Sequence, residues 1–302
     1  MKKIQVCLIN PPTRSLSLRP PHGLMYISAY FSHNGITNCL IDPKGNDPIE
    51  KLTEKLLRET IESSPDFVGI SCLTTDVRCV LSIASQIKKK LPHTKIVLGG
   101  IHPTLFPEEM LKDENIDFVV MGEGEETFFE LVSSYGKVDL SSINGIAFKS
   151  NSKIIINKRR DMIKSLDSLP LPAFEKINMD FYLQPNIHLV RGIPLKGFYV
   201  FSSRGCPYRC RFCVNKNIFG RAIRFRNPIK VVDEIEHLYK KYKIDAFYLF
   251  DDTFAVNKSH AKMFCDELTK RKLSLVWGCE TRVNLLNKDI VKNPLSGIPR
   301  TR

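Results

Sequence analysis

The sequence predicts an α/β protein, a doubly wound parallel sheet followed by a second, partial β/α series. Two observations support this. Between residues 4 and 135 short continuous apolar runs alternate with amphipathic stretches, the pattern of strands covered on both faces by helices. A proline-stiffened stretch, Leu166–Pro172, then precedes a second alternation that starts at Gly197.

The elements follow in order. Ile4–Ile9 is a first strand that stops at Asn10-Pro11-Pro12. Gly23–Ser32 has helical spacing, with Leu24, Ile27, Ala29 and Phe31 apolar. Thr37–Ile41 is a strand, Ile49–Ser63 an amphipathic helix, Phe67–Cys72 a third strand and Val77–Leu91 a helix. Lys95–Leu98 forms a fourth strand ending at Gly99-Gly100, Phe118–Met121 a fifth, and Glu125–Ser134 a helix. Ile143–Phe148 and Lys153–Asn157 read as a small hairpin within a connection. In the second series Gly197–Ser202 is a strand, Pro228–Tyr242 a helix, Ala246–Phe250 a strand, His260–Arg271 a helix and Ser274–Gly278 a strand. The expected organisation is a first domain at 1–135, a connection at 136–196, a second domain at 197–292 and an irregular tail at 293–302.

Composition narrows the classes. A chain of 302 residues with 43% hydrophobic content can bury two cores. No run of eighteen apolar residues occurs, so no membrane span is expected, and the opening apolar run is too short for a signal peptide. Nine dispersed cysteines argue against a disulfide framework and for a reducing, cytoplasmic setting, where clustered thiols hold metal or do chemistry. The net charge is +13, and Phe181 to Val232 contains no Asp or Glu. That field suits an anionic partner: nucleic acid, a carboxylate- or phosphate-bearing cofactor, or no partner at all if it is a solvated face.

Cys206-Pro-Tyr-Arg-Cys210-Arg-Phe-Cys213 places three thiols within eight residues, directly after a strand. Three thiolates can ligate three irons of a [4Fe–4S] cluster and leave the fourth open. Structural zinc needs a fourth protein ligand, for which only the distant Cys265 and Cys279 offer themselves.

On this spacing, with Ser202-Ser203-Arg204-Gly205 before it and the aromatic Phe212 before the last cysteine, the chain resembles the radical S-adenosylmethionine superfamily. The N-terminal half resembles the cobalamin-binding domain fused to one branch of it. The matching pieces are Pro11-Pro12, Pro21-His22-Gly23-Leu24, Ser71-x-Leu73, Gly99-Gly100-x-His102-Pro103-Thr104 and Gly122-Glu123-Gly124-Glu125. The resemblance implies a [4Fe–4S] cluster, S-adenosylmethionine and cobalamin as cofactors, a flavodoxin- or ferredoxin-type electron donor and a small-molecule substrate. The implied reaction is reductive cleavage of S-adenosylmethionine to a 5′-deoxyadenosyl radical, serving C-methylation or a related transformation. Cys206, Cys210 and Cys213 would be the cluster ligands. Phe212, Asp251, Asp252, Thr253 and Arg282 would border S-adenosylmethionine, with the carboxylates near its amino group and Arg282 near its carboxylate. Asp251 or Thr253 could instead cap a helix. Ser71, Leu73, Gly99, Gly100 and His102 would border cobalamin. Cobalt-ligating domains carry D-x-H-x-x-G where this chain has Asp42-Pro43-Lys44-Gly45-Asn46-Asp47, so no side chain is expected on cobalt, and His102 reads as a turn residue.

Two alternatives stand beside this. Cys7, Cys39, Cys72 and Cys79 could hold a second cluster, as in methylthiotransferases, although Cys7 and Cys39 lie in apolar strand runs. The chain could also be a non-catalytic cofactor or nucleic-acid binder. Only three βα units are counted, fewer than the family's barrel normally has. The expectation is therefore a truncated or interrupted barrel that cleaves S-adenosylmethionine poorly by itself.

Overall fold

The apolar run near the N-terminus becomes strand β1 (Val6–Ile9), all four of whose side chains are buried. Around it lie α1 (His22–His33), β2 (Asn38–Ile41), α2 (Ile49–Ser63), β3 (Phe67–Ser71), α3 (Val77–Lys90) and β4 (Lys95–Gly99). Two short helices follow, α4 (Ile101–Leu105) and α5 (Pro107–Leu111), then β5 (Phe118–Val120), α6 (Gly124–Ser134), β6 (Ile146–Ser150) and β7 (Lys153–Ile156). The computed structural model describes residues 3–12, 19–45, 47–190 and 192–285. The tail expected at 293–302 and the stretch from 286 lie outside the described residues, as do Arg191 and Asn46.

These elements build the first of two units, from the N-terminal strand with residues 21–163 and 170–178. Its sheet has the order β2-β1-β3-β4-β5-β6-β7. β1 to β5 pair in parallel, while β6 pairs antiparallel with β5, and β7 with β6. The sheet is therefore not parallel throughout. The hairpin read as part of a connection is its last two strands, and the unit runs on beyond residue 135.

Alternate residues along each strand divide two cores. Cys7, Ile9, Val68, Ile70, Ile96 and Leu98 pack with Leu56 of α2 and Val80, Ile83 and Ile87 of α3. Val6, Leu8, Phe67, Val97 and Phe118 pack on the other side with Leu24 and Phe31 of α1 and Phe128 and Leu131 of α6. This is the doubly wound arrangement that continuous apolar strands demand. β2 lies on one side of β1 and β3 on the other, so the crossovers diverge there. In such sheets a ligand crevice opens at the carboxyl ends of the strands beside that reversal.

The second unit comprises residues 164–169 and 179–285 with Arg19 and Pro20. It contains α7 (Met179–Tyr182), the hairpin β8 (Asn186–Val190) and β9 (Ile193–Leu195), β10 (Gly197–Val200), β11 (Ser203–Arg204), α8 (Asn215–Phe219) and β12 (Arg224–Phe225). Then come α9 (Pro228–Tyr242), β13 (Ala246–Leu249), α10 (Lys258–Lys270) and β14 (Val276–Cys279). The parallel sheet has the order β10-β13-β14. Both crossover helices start on side-chain caps: Asn227 accepts from the Ile229 N–H at 2.9 Å, and Asn257 from the His260 N–H at 3.0 Å. Pro228 occupies the first turn of α9, where no backbone donor is lost. Trp277 and Phe247 stack at 5.8 Å, and Phe254 and Phe264 close on the indole edge-on, which seats α10 on the sheet.

Candidate functional site

The three clustered cysteines lie on a loop pinned at its base by a two-residue ladder. β11 and β12 pair antiparallel, Ser203 opposite Phe225 and Arg204 opposite Arg224. Gly205, φ +95°, turns the chain out of β11, and a Cβ there would lie 2.4 Å from the Ala222 carbonyl. Only glycine fits that turn. Cys206, Cys210 and Cys213 are all free and half-buried, and the Cys213 N–H closes a turn on the Cys210 carbonyl at 3.1 Å. Burial pushes the Cys206 thiol up, opposed by a backbone hydrogen bond from Tyr208, with Asp252, Cys213 and Cys210 pushing it further. Phe212 projects from the loop, 94% exposed. Arg282, after β14, lays its guanidinium 3.9 Å from the centroid of Tyr208 within the loop. A residue chosen for its carboxylate chemistry thus reaches the cysteine segment itself.

The two strand-end carboxylates part company. Asp252 is exposed and acts electrostatically on Cys206. Asp251 is 2% exposed and accepts the N–H groups of Ser202 at 2.7 Å and Ser203 at 3.0 Å, along with the Ser202 hydroxyl. Expected beside an ammonium, it accepts three hydrogen bonds from its own chain and lies away from solvent. The helix-cap reading of this segment fails, since Thr253 makes no capping bond and Asn257 caps α10.

In the first unit, the loops after β3, β4 and β5 are bound to one another. The Cys72 N–H donates to the Gly99 carbonyl at 2.9 Å, and the His102 N–H to the Cys72 carbonyl at 3.2 Å. The Thr104 hydroxyl donates to the Gly100 carbonyl at 2.7 Å and accepts from the Gly122 N–H at 3.0 Å. Gly100, φ +100°, lies so close that a Cβ would stand 3.0 Å from the Cys72 carbonyl and 3.4 Å from the Ser71 hydroxyl. His102 is buried, with Nδ1 3.2 Å from the Thr74 hydroxyl and Nε2 3.9 Å from a Glu109 carboxylate oxygen. It lies in α4 and ties that helix to the loop after β3. Leu73, Ile101 and Phe106 are 46%, 40% and 48% exposed on these same loops. An open cleft of about 480 Å³ lies beside Phe106, lined also by Glu109, Lys112 and Arg159.

The sequence matches the family described as B12 binding domain over residues 15–132. Along almost its whole length it is similar to an uncharacterised methyltransferase of Pyrococcus horikoshii. They are 31% identical over 300 residues, 97% of this chain and 63% of that protein. The chain carries a B12 binding domain. Another relative is the anaerobic magnesium-protoporphyrin IX monomethyl ester cyclase of Rubrivivax gelatinosus, 32% identical over 91% of this chain and 49% of its own length. The chain thus spans about half the length of the curated relatives it matches. Among solved structures, the cobalamin-dependent S-adenosylmethionine radical enzyme OxsB, with aqua-cobalamin and S-adenosylmethionine bound, shares the fold. Its TM-score is 0.75 at 21% identity, covering 90% of this chain and 38% of that one.

The family's cofactors find donors of the right chemistry here. Ser203 Oγ, Asn215 Oδ1, Thr253 Oγ1 and Thr281 Oγ1 are buried without a hydrogen-bond partner among the described residues. All four belong to the cysteine loop or to segments that leave β10, β13 and β14 at their carboxyl ends. Orphaned buried polar atoms are few in folded proteins and call for an explanation, of which a missing ligand is one. Only Thr253 of these was expected, because a lone Ser, Asn or Thr carries no spacing signal. Among the described residues no three His, Cys, Asp or Glu side chains converge on a single ion. Cys265 and Cys279 are free thiols whose pKa burial pushes up to about 11 and about 12. The N-terminal cysteines do not suit a second cluster. Cys7 and Cys72 are core residues, and Cys39 stands opposite Cys7 in the β1–β2 register.

Proposed function

We propose that this chain is the cofactor-binding part of a radical S-adenosylmethionine enzyme that methylates, or otherwise transforms by radical chemistry, a small organic substrate. In this reading Cys206, Cys210 and Cys213 hold a [4Fe–4S] cluster, the loops after β3 to β5 hold cobalamin, and an outside flavodoxin- or ferredoxin-type protein supplies electrons. The cofactors would supply reductive cleavage of the sulfonium and carriage of a methyl group. The protein's share is to bind, orient and exclude water. Asp252 attracts the methionyl ammonium, and Arg282 can turn from Tyr208 to meet the methionyl carboxylate in a bidentate pair. The unpartnered hydroxyls of Ser203, Thr253 and Thr281 can pair with hydroxyls and ring nitrogens of a nucleoside. In the first unit Leu73, Ile101 and Phe106 offer an apolar platform to a flat macrocycle, and Gly99-Gly100 lets backbone approach it.

The observation that carries this reading is the cysteine loop: three free thiols beside orphaned buried polar atoms. The test is anaerobic reconstitution with iron and sulfide, then incubation with dithionite and S-adenosylmethionine, following 5′-deoxyadenosine by chromatography. Formation that depends on all three cysteines supports the reading. A reconstituted chain that binds S-adenosylmethionine yet yields none counts against it.

A further inference from the structure

The buried Asp251 has a second carboxylate beside it that is far better placed to meet a ligand, which raises the question of what Asp251 itself does. The hydrogen bonds around it form a continuous set. One Asp251 oxygen accepts two successive backbone N–H groups, those of Ser202 and Ser203, and the other accepts the Ser202 hydroxyl. On the opposite side of that segment, the Ser202 carbonyl accepts from the Arg226 N–H at 2.8 Å. The Arg226 guanidinium donates to the Phe201 carbonyl at 2.7 Å and pairs with Glu234 of α9 at 2.7 Å, where Glu234 is 1% exposed. The Arg226 carbonyl in turn takes the His260 Nε2 of α10 at 3.0 Å. Phe201 to Ser203 is thus held by Asp251, just after β13, and by Arg226, just after β12, which α9 and α10 fix in turn, a few residues before Cys206.

We infer that Asp251 is a positioning residue for the cluster loop: it fixes the backbone of Ser202 and Ser203, and so the direction in which Cys206 leaves the sheet, while Asp252 alone meets the cofactor's ammonium. The inference rests on the cluster reading above. It follows from satisfiability. A carboxylate with both oxygens occupied and no solvent around it has little to offer a ligand, whereas removing it leaves two N–H groups and a hydroxyl buried without acceptors. An asparagine can replace it, its carbonyl accepting the two N–H groups and its amide donating to the Ser202 hydroxyl. The hydrogen bonds would survive and the charge would not.

The test reads iron content and the electron paramagnetic resonance of the reduced cluster, with and without S-adenosylmethionine. It uses the full chain and the variants Asp251→Asn, Asp251→Ala and Asp252→Asn, with circular dichroism as the folding control. Asp251→Asn should keep its iron and its spectral response to S-adenosylmethionine. Asp251→Ala should lose most of its iron while remaining folded. Asp252→Asn should keep its iron but need roughly tenfold or more S-adenosylmethionine for the same response, as expected for one lost charged hydrogen bond. If Asp251→Ala does not fold, Asp251→Asn decides. A cluster-loaded Asp251→Asn that no longer responds to S-adenosylmethionine makes Asp251 a ligand and overturns the inference. So does a folded Asp251→Ala with full iron and an unchanged response. A wild-type chain that takes up no iron overturns the cluster reading as well.

Discussion

At the scale of single residues, the sequence identified groups by spacing but could not say which way they face. Cys206, Cys210 and Cys213 were legible because a short loop after a strand confines them whatever the rest of the chain does. Asp251 and Asp252 are adjacent and chemically identical, and only the path of the chain after β13 decides that one is sealed in while the other is exposed. Asn215 and Thr281 carry no pattern at all. Gly205 is a direct probe of the loop. A β-carbon there meets the Ala222 carbonyl at 2.4 Å on a backbone at φ +95°. Such strain costs about 1–3 kcal/mol from the backbone alone. Gly205→Ala should retain less iron than the wild type with cobalamin binding unchanged, as iron analysis and a hydroxocobalamin titration would show. His260 gives a pH test. Burial holds its pKa below the ordinary 6.5, so the folded state keeps the ring neutral. The unfolded chain then takes up the extra proton as pH falls below about 6.5. Stability from the neutral ring is complete above that value and is lost as pH falls through the lower folded pKa. Melting at pH 7.5 and 5.5 should show a smaller acid-side loss in His260→Gln than in the wild type. An equal loss would place the titrating group elsewhere.

At the scale of elements, the long pieces were legible and the short ones were not. Five apolar runs became β1 to β5, and the caps at Asn227 and Asn257 mark where α9 and α10 begin. Helices α4, α5 and α8 have five residues each, and β11 and β12 two. Pieces that short are made by their surroundings rather than by propensity. The β6–β7 hairpin was legible from its strands and turn, where Asn151 and Ser152 take φ of 48° and 62°. That it extends the sheet antiparallel is a long-range fact. The ring cluster under α10 can be weighed. Phe264 is fully buried against Phe247, Phe254 and Trp277. Phe264→Ala should cost about 3–5 kcal/mol. Trp277 is the chain's sole tryptophan, so its fluorescence reports that loss in a denaturant titration. A cost below about 1 kcal/mol would mean that α10 is seated by something else.

At the scale of the whole molecule, the fold follows from two α/β series. The match to the B12 binding domain covers the first series, and the resemblance that named the chemistry rests on motifs at strand ends. No helix among the described residues is long and apolar enough to cross a membrane. The basic stretch is less of a free field than its sequence suggests, because Arg226 is bound in a buried ion pair with Glu234 and Lys230 donates to the Asp167 carbonyl at 3.2 Å. Cobalamin should bind the first unit without a side chain on cobalt, since His102 is buried between Thr74 and Glu109. Electron paramagnetic resonance of the cobalt(II) form in the presence of the chain should lack histidine nitrogen splitting. Splitting that disappears in His102→Ala would reverse the assignment. The most direct test of the central claim is the iron and acid-labile sulfide content of the anaerobically reconstituted chain, compared with Cys210→Ala. The expected result is about four of each per wild-type chain, with a large loss in the variant. A variant that keeps the full complement, or a wild-type chain that takes up one zinc and no sulfide, would contradict it.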